Sequence, residues 1–203
     1  MGKIVFRSRA LRVIFRELAG LKPSPQCRHI DIDGHDVIEV TLTEEQAKLV
    51  MQKAISVIKD PNLPNKLGGP SYRWFVGFLG QVAFFVYAFD NFKRGYSELK
   101  SGYKPDTHDC IFRGWNFDVK TNGRPDGDRM MVPEYQFPQY HDFYVSCNLK
   151  SRNPHIIHIR GYATRKELER RKPEEYGYGP TRAILFTNLH PIVELKDLKP
   201  KRA

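Results

Sequence analysis

Asp109, Asp118 and Lys120 are the residues whose types and spacing can do chemistry, within the stretch DCIFRGWNFDVKT. If Arg113-Gly114 is a two-residue turn, Phe112 pairs with Trp115 and Asp109 lies opposite Asp118. Side chains alternate along a strand, so Lys120 shares a face with Asp118. Cys110, Phe112, Phe117 and Val119 then point to the other face, as a core requires. A longer loop that shifts the pairing by two residues keeps this parity. Two carboxylates are hard oxygen ligands for a divalent cation, and an ammonium beside them can orient and polarise an attacking water. That set suits phosphodiester cleavage. An Asp-x-Lys alone also describes a solvated surface pair; the facing Asp109 and the apolar flanks separate this case from that one.

The elements around the stretch must position it. Upstream, the apolar run from Trp74 to Phe89 reads as a buried central helix, interrupted by one polar residue, Gln81. Its length of about 16 residues falls short of the roughly 20 a membrane span needs. Ser71 is placed to cap this helix, which the pattern extends to Lys93. Lys93, Arg94, Lys100 and Lys104 follow in a polar loop. After Lys120, TNGRPDGDR reads as a turn carrying Arg124 and Arg129, then an irregular connection leads to a strand at 143–147. HIIHIRGYA is a further strand. Thr164 and Glu167 form a capping box opening a basic helix to Lys172, and RAILFTNLHPIVEL supplies one last strand.

Ahead of the apolar helix, residues 3–19 read as a basic amphipathic segment. HIDIDGHDVIEVTL reads as a hairpin turning at Asp33-Gly34. Its Asp31, Asp33, Asp36 and Glu39 lack the spacing of a calcium loop and read as hairpin surface. Thr43 and Gln46 make a capping box for a helix to Lys59. Residues 60–70, rich in proline, glycine and asparagine, close an N-terminal extension (1–60) ahead of a core at 71–203.

The 203 residues suffice for one α/β domain. A formal charge of +10 favours a polyanionic partner, nucleic acid first. Cys27, Cys110 and Cys147 form neither a CxxC pair nor an even framework, which fits a reducing, cytoplasmic compartment without structural zinc. Arginines interrupt every apolar run near the N-terminus, so no leader is expected, and no membrane partner. The histidines show no zinc spacing, and no glycine-rich phosphate loop is present. His108 and His141 are further candidates to assist the chemistry, although strand alternation points His108 away from Asp109.

The region from residue 71 to 160 resembles the PD-(D/E)xK nuclease superfamily, whose motif is an acidic residue on a helix, an Asp opening a strand and a (D/E)xK on the next. The counterparts are Gln81 in GFLGQVAFF, Asp109 in THDCIF, and Asp118-Val119-Lys120 in FDVKT. The literal Pro-Asp falls at Pro105-Asp106, making Asp106 a rival to Asp109. Glutamine replaces the usual helix glutamate. Gln136-x-x-x-Tyr140 resembles an element of the exonuclease branches, but Pro138 inside it opposes the helix that element occupies, and it reads as chance. The resemblance implies a restriction-endonuclease-like α/β fold, a mixed central sheet flanked by helices. It implies Mg²⁺ or Mn²⁺ held by Asp109, Asp118 and the Val119 carbonyl, Lys120 orienting water, and Gln81 positioning water or the metal's outer shell. It implies hydrolysis of nucleic acid, DNA rather than RNA, and a homodimer where both strands are cut. Two alternatives stand beside it: a non-catalytic nucleic-acid-binding protein on such a fold, and a structural α/β protein whose charge serves a protein partner.

Overall fold

A computed structural model describes residues 26–59, 71–99, 109–177 and 179–201. The basic segment at 3–19, the loop at 60–70, Lys100, Lys104, Asp106 and His108 lie outside them.

Alternating apolar residues build a six-stranded mixed sheet from β1 (Gln26–Ile32), β2 (His35–Leu42), β3 (Cys110–Phe112), β4 (Trp115–Asn122), β6 (Phe143–Arg152) and β7 (His155–Thr164), in the order β1-β2-β7-β6-β4-β3. Every neighbouring pair is antiparallel except β4 and β6. That parallel pair needs a crossover, and the chain between its strands carries β5 (Arg129–Pro133). β5 joins β8 (Glu174–Glu175) and β9 (Pro180–Leu185) in a second, three-stranded sheet. The sequence reading made this stretch irregular; its strand pairing is supplied by β9, about fifty residues downstream.

Helices α1 (Glu44–Ile58), α2 (Ser71–Phe89) and α3 (Phe92–Glu98) pack on one face of the large sheet. Ile38, Val40, Ile157, Ile159, Val145, Cys147, Phe117 and Val119 point into that layer. The opposite face turns Tyr144 and Ala163 toward Met130, Val132 and Ile184 of the small sheet and Leu168 of the short helix α4 (Arg165–Glu169). The second layer is therefore mostly strand, with one short helix. β1, β2 and α1 share the sheet and core of the rest, since β2 pairs with β7 and α1 packs on α2.

Local chemistry explains several boundaries. Both capping boxes form: Thr43 with Gln46 opens α1, and Thr164 with Glu167 opens α4. α4 stops at Glu169, not Lys172. α2 ends at Phe89, not Lys93, because Asp90 enters the left-handed region (φ 49°) and Asn91 caps α3 through Arg94 N–H. Part of the expected polar loop is thus helical. α2 is long and apolar enough to cross a membrane by length and composition. Here it is core: Leu79, Val82, Ala83 and Phe85 have no exposed surface. Gly80 lets it approach the sheet, since a Cβ there would collide with Thr121 Oγ1 of β4. Glu39, read as hairpin surface, is buried and bonded by Arg28 Nε (2.7 Å) and by His158 Nε2 (3.0 Å).

A chain segment after the last strand latches the β3–β4 hairpin. Arg113 and the Trp115 indole donate to the carbonyls of Leu198 and Lys199 (2.6 and 2.9 Å). Lys201 Nζ donates to both oxygens of buried Asp142 (2.8 Å each). Lys201→Met should therefore lower stability by about 1–2 kcal/mol, between an exposed and a buried ion pair. Thermal melting checks it: a shift of about 2–8 °C downward is expected.

Candidate functional site

The turn Arg113-Gly114 takes positive φ at both positions (52° and 81°), the geometry of a tight hairpin turn. It fixes Phe112 opposite Trp115 and Cys110 opposite Phe117, which sets Asp109 beside Asp118. β3 starts at Cys110, and among the described residues no further strand pairs with the outer edge of β4. Asp109 closes that gap: its N–H donates to Phe117 O (2.9 Å), and its Oδ2 accepts the Val119 N–H (2.7 Å). From α2, Gln81 Nε2 donates to Asp109 Oδ1 (2.9 Å). The structure thus brings Gln81, Asp109, Asp118, Val119 and Lys120 together. Val119 meets the site through its backbone N–H, while its side chain is core.

Lys120 Nζ lies 2.7 Å from Asp118 Oδ2, an ion pair lying off the hydrogen-bonding direction. The same ammonium donates to Gln136 Oε1 (2.8 Å). Gln136, read as chance in the sequence, therefore belongs to the site, whereas Tyr140 turns away to Asp142 (3.0 Å). Gln136 stands on a single 3₁₀ turn (Glu134–Gln136), so Pro138 is no obstacle to it. β6 adds residues that the sequence did not single out. Tyr144 is the cross-strand neighbour of Asp118, and Ser146 that of Lys120. Their hydroxyls are buried without a hydrogen-bond partner among the described residues. His141 is buried edge-on against the Tyr144 ring.

Burial and the neighbouring Asp118 push the Asp109 carboxyl up to about 8. Asp118 moves the other way. Its desolvation is outweighed chiefly by the charges of Lys120 and His141, which hold it below the usual carboxylate range. Neighbouring carboxyls that split in this way lose their protons in two separate steps.

A stability effect follows. Asp109 carries a proton in the folded state at pH values where the unfolded chain has already lost it. Its contribution is complete below its ordinary range near pH 4 and is lost as pH rises to about 8. Asp118 contributes in the opposite sense, losing its share only as pH falls through its lowered range. Asp109→Asn should flatten the fall and make the protein more stable than wild type at pH 8 in EDTA. Urea unfolding of both proteins across pH 5–8.5 measures the difference; parallel curves would contradict it.

Do these residues suit a divalent cation? The side-chain and main-chain atoms able to ligate are oxygens, as Mg²⁺ and Mn²⁺ prefer. The interior Asp118 Oδ2 lacks an aligned donor, and the two carboxylates repel until a proton or cation lies between them. Among the described residues no group of three His, Cys, Asp or Glu side chains is placed to hold a metal. The set is thus two carboxylates, a carbonyl and an amide, consistent with a cation that keeps several waters. Gln81 now turns its N–H₂ to Asp109, and half a turn of the amide would present Oε1.

Comparison with protein-family models, curated proteins and solved structures finds no significant match. What the geometry supplies by itself is a carboxylate pair, Asp118 buried and Asp109 half-buried, with an ammonium fixed beside it by a glutamine.

Proposed function

We propose that this chain is a divalent-metal-dependent nuclease of PD-(D/E)xK type on a restriction-endonuclease-like fold, hydrolysing DNA in preference to RNA. One observation carries the reading: the β3–β4 register sets Asp109 beside Asp118, with Asp109 bonded by the Val119 N–H, while Lys120 is held 2.7 Å from Asp118. A structural core seldom keeps two carboxylates and an ammonium together, because each costs desolvation that hydrophobic packing avoids. Asp109, Asp118 and the Val119 carbonyl would hold Mg²⁺ or Mn²⁺, which supplies Lewis-acid polarisation of the scissile phosphate. Gln136 restrains the Lys120 ammonium, so that it meets a water or phosphate oxygen with little reorganisation. The net charge of +10 would draw a polyanion to the site.

The test is plasmid nicking by purified protein with Mg²⁺, with Mn²⁺ and with EDTA. Cleavage that requires metal supports the reading; intact plasmid under every metal condition, with the protein folded, sinks it. A second reading, a non-catalytic nucleic-acid-binding protein, is favoured by the Gln81 amide, which satisfies Asp109 without a cation. Salt-sensitive retention of DNA without nicking would select it.

A further inference from the structure

We propose that the cleft beside Lys120 binds a single-stranded stretch of nucleic acid, through stacking on Tyr72 and Tyr176 and phosphate contacts from Arg73, Arg124 and Arg129. This deepens the nuclease reading and rests on it for the sense of the substrate, although the binding itself does not require cleavage.

The cleft has a volume of ≈ 840 Å³ and runs between the first turns of α2 and the β4–β5 connection. Lys120 and Gln136 line it, so it opens directly onto the candidate site. Its charged lining comprises four cations, Arg73, Lys120, Arg124 and Arg129, and two carboxylates, Asp126 and Asp128. Asp128 is already neutralised by Arg129 (2.7 and 2.8 Å). Arg124 makes no ion pair with the described residues. The residual charge is positive, as a phosphate chain requires.

The two aromatic rings are what favour a single strand. Tyr72 carries Arg152 over its ring at 4.6 Å, and Tyr176 carries Arg129 at 5.7 Å. Each is thus a ring backed by a guanidinium at the wall of a basic cleft. Base faces stack on such platforms whatever the sequence, and the arginine adds a cation–π contribution. A duplex keeps its base faces inside the helix and would leave the rings idle. The wall is also braced. Asn148 Nδ2 donates to the carbonyls of Arg124 (2.6 Å) and Asn122 (3.4 Å), and Lys150 donates to Pro125 O. The connection bearing Arg124 is therefore held in place from β6, which lowers the ordering cost of binding.

The test is fluorescence anisotropy of labelled oligothymidylate and of a blunt duplex of the same length, both in EDTA with the full chain. Oligothymidylate should bind at least about tenfold more tightly at equal salt. Tyr176→Ala should weaken it by about tenfold or more, while Tyr176→Phe, which keeps the ring, should bind like wild type. Arg124→Ala should reduce the log–log salt slope by about 0.7, one phosphate contact on a single strand. Equal or tighter duplex binding, or a Tyr176→Ala protein that binds like wild type, overturns the proposal. Melting curves of each variant separate lost contact from lost fold. The two readings fail separately. Metal-dependent cleavage of duplex by a protein without single-strand preference removes the cleft and leaves the nuclease. Tyr176-dependent binding by a protein that no metal makes cut removes the nuclease and leaves the cleft.

Discussion

Asp118→Asn is expected to abolish cleavage and weaken Mn²⁺ binding while leaving the protein folded. Asparagine has nearly the same shape, so the packing against Tyr144 is retained. What disappears is one of the two charged oxygen ligands. Loss of a mere outer-sphere partner typically costs 10–100-fold in metal affinity or activity, so loss of a ligand should cost more than about 100-fold in nicking rate. Stability should change little, because two effects oppose. The Lys120 ion pair is lost, but Gln136 still satisfies the ammonium, and the repulsion that keeps Asp109 protonated is relieved. Asp109 should therefore ionise at lower pH in this variant. Nicking rates and metal-free melting curves, measured side by side, check both halves. A variant that nicks at the wild-type rate would remove the carboxylate pair from the chemistry.

The candidate face was legible because it depends on local rules. A tight turn at Arg113-Gly114 dictates the register, and the period of two puts Asp118 and Lys120 together once the strand is granted. Both capping boxes are equally local, each a side chain bonding three residues along. The alternation that sent Phe117 and Val119 to the core holds as well. The polar residue inside the apolar helix proves to face Asp109, and the close approach permitted by Gly80 one residue earlier brings it there.

What was not legible depends on distant partners. Gln136 joins Lys120 across a sixteen-residue separation, from a 3₁₀ turn that ends before Pro138. Tyr144 and Ser146 are strand residues like any other until the parallel β4–β6 pairing sets them beside Asp118 and Lys120. β5 is a strand because β9 pairs with it. Glu39 is interior because β7 brings His158 over it. The end of α2 does carry a local signal: Asp90-Asn91 combines a residue tolerant of left-handed φ with a preferred helix cap. No glycine or proline marks the break, and the apolar pattern continues through Phe92, which is itself buried in the same core.

Gln81→Glu gives the second large expected effect, and its sign depends on whether a cation belongs between these residues. In the metal-free protein Gln81 donates to Asp109, and no carboxylate can do so while ionised. The substitution removes that hydrogen bond and adds a third carboxyl to a pair that already holds a proton for lack of room for two charges. A buried acceptor left without its donor costs about 1–3 kcal/mol, so the metal-free melting temperature should fall by about 2–12 °C. A cation reverses the balance. Three carboxyl groups then offer charged oxygens where two did before, at nearly constant side-chain volume, and the variant should bind Mn²⁺ more tightly than wild type. Ligand binding stabilises the folded state by an amount that grows with the logarithm of ligand concentration over Kd, so added Mn²⁺ should raise the melting temperature of the variant more than that of wild type. Cleavage at limiting Mg²⁺ should rise in parallel. Melting curves of both proteins with EDTA and with Mn²⁺ make the comparison without any substrate. A fall in melting temperature that Mn²⁺ leaves unrepaired would mean that Gln81 is a core amide whose only task is to bond Asp109, and the metal would then rest on Asp109 and Asp118 alone.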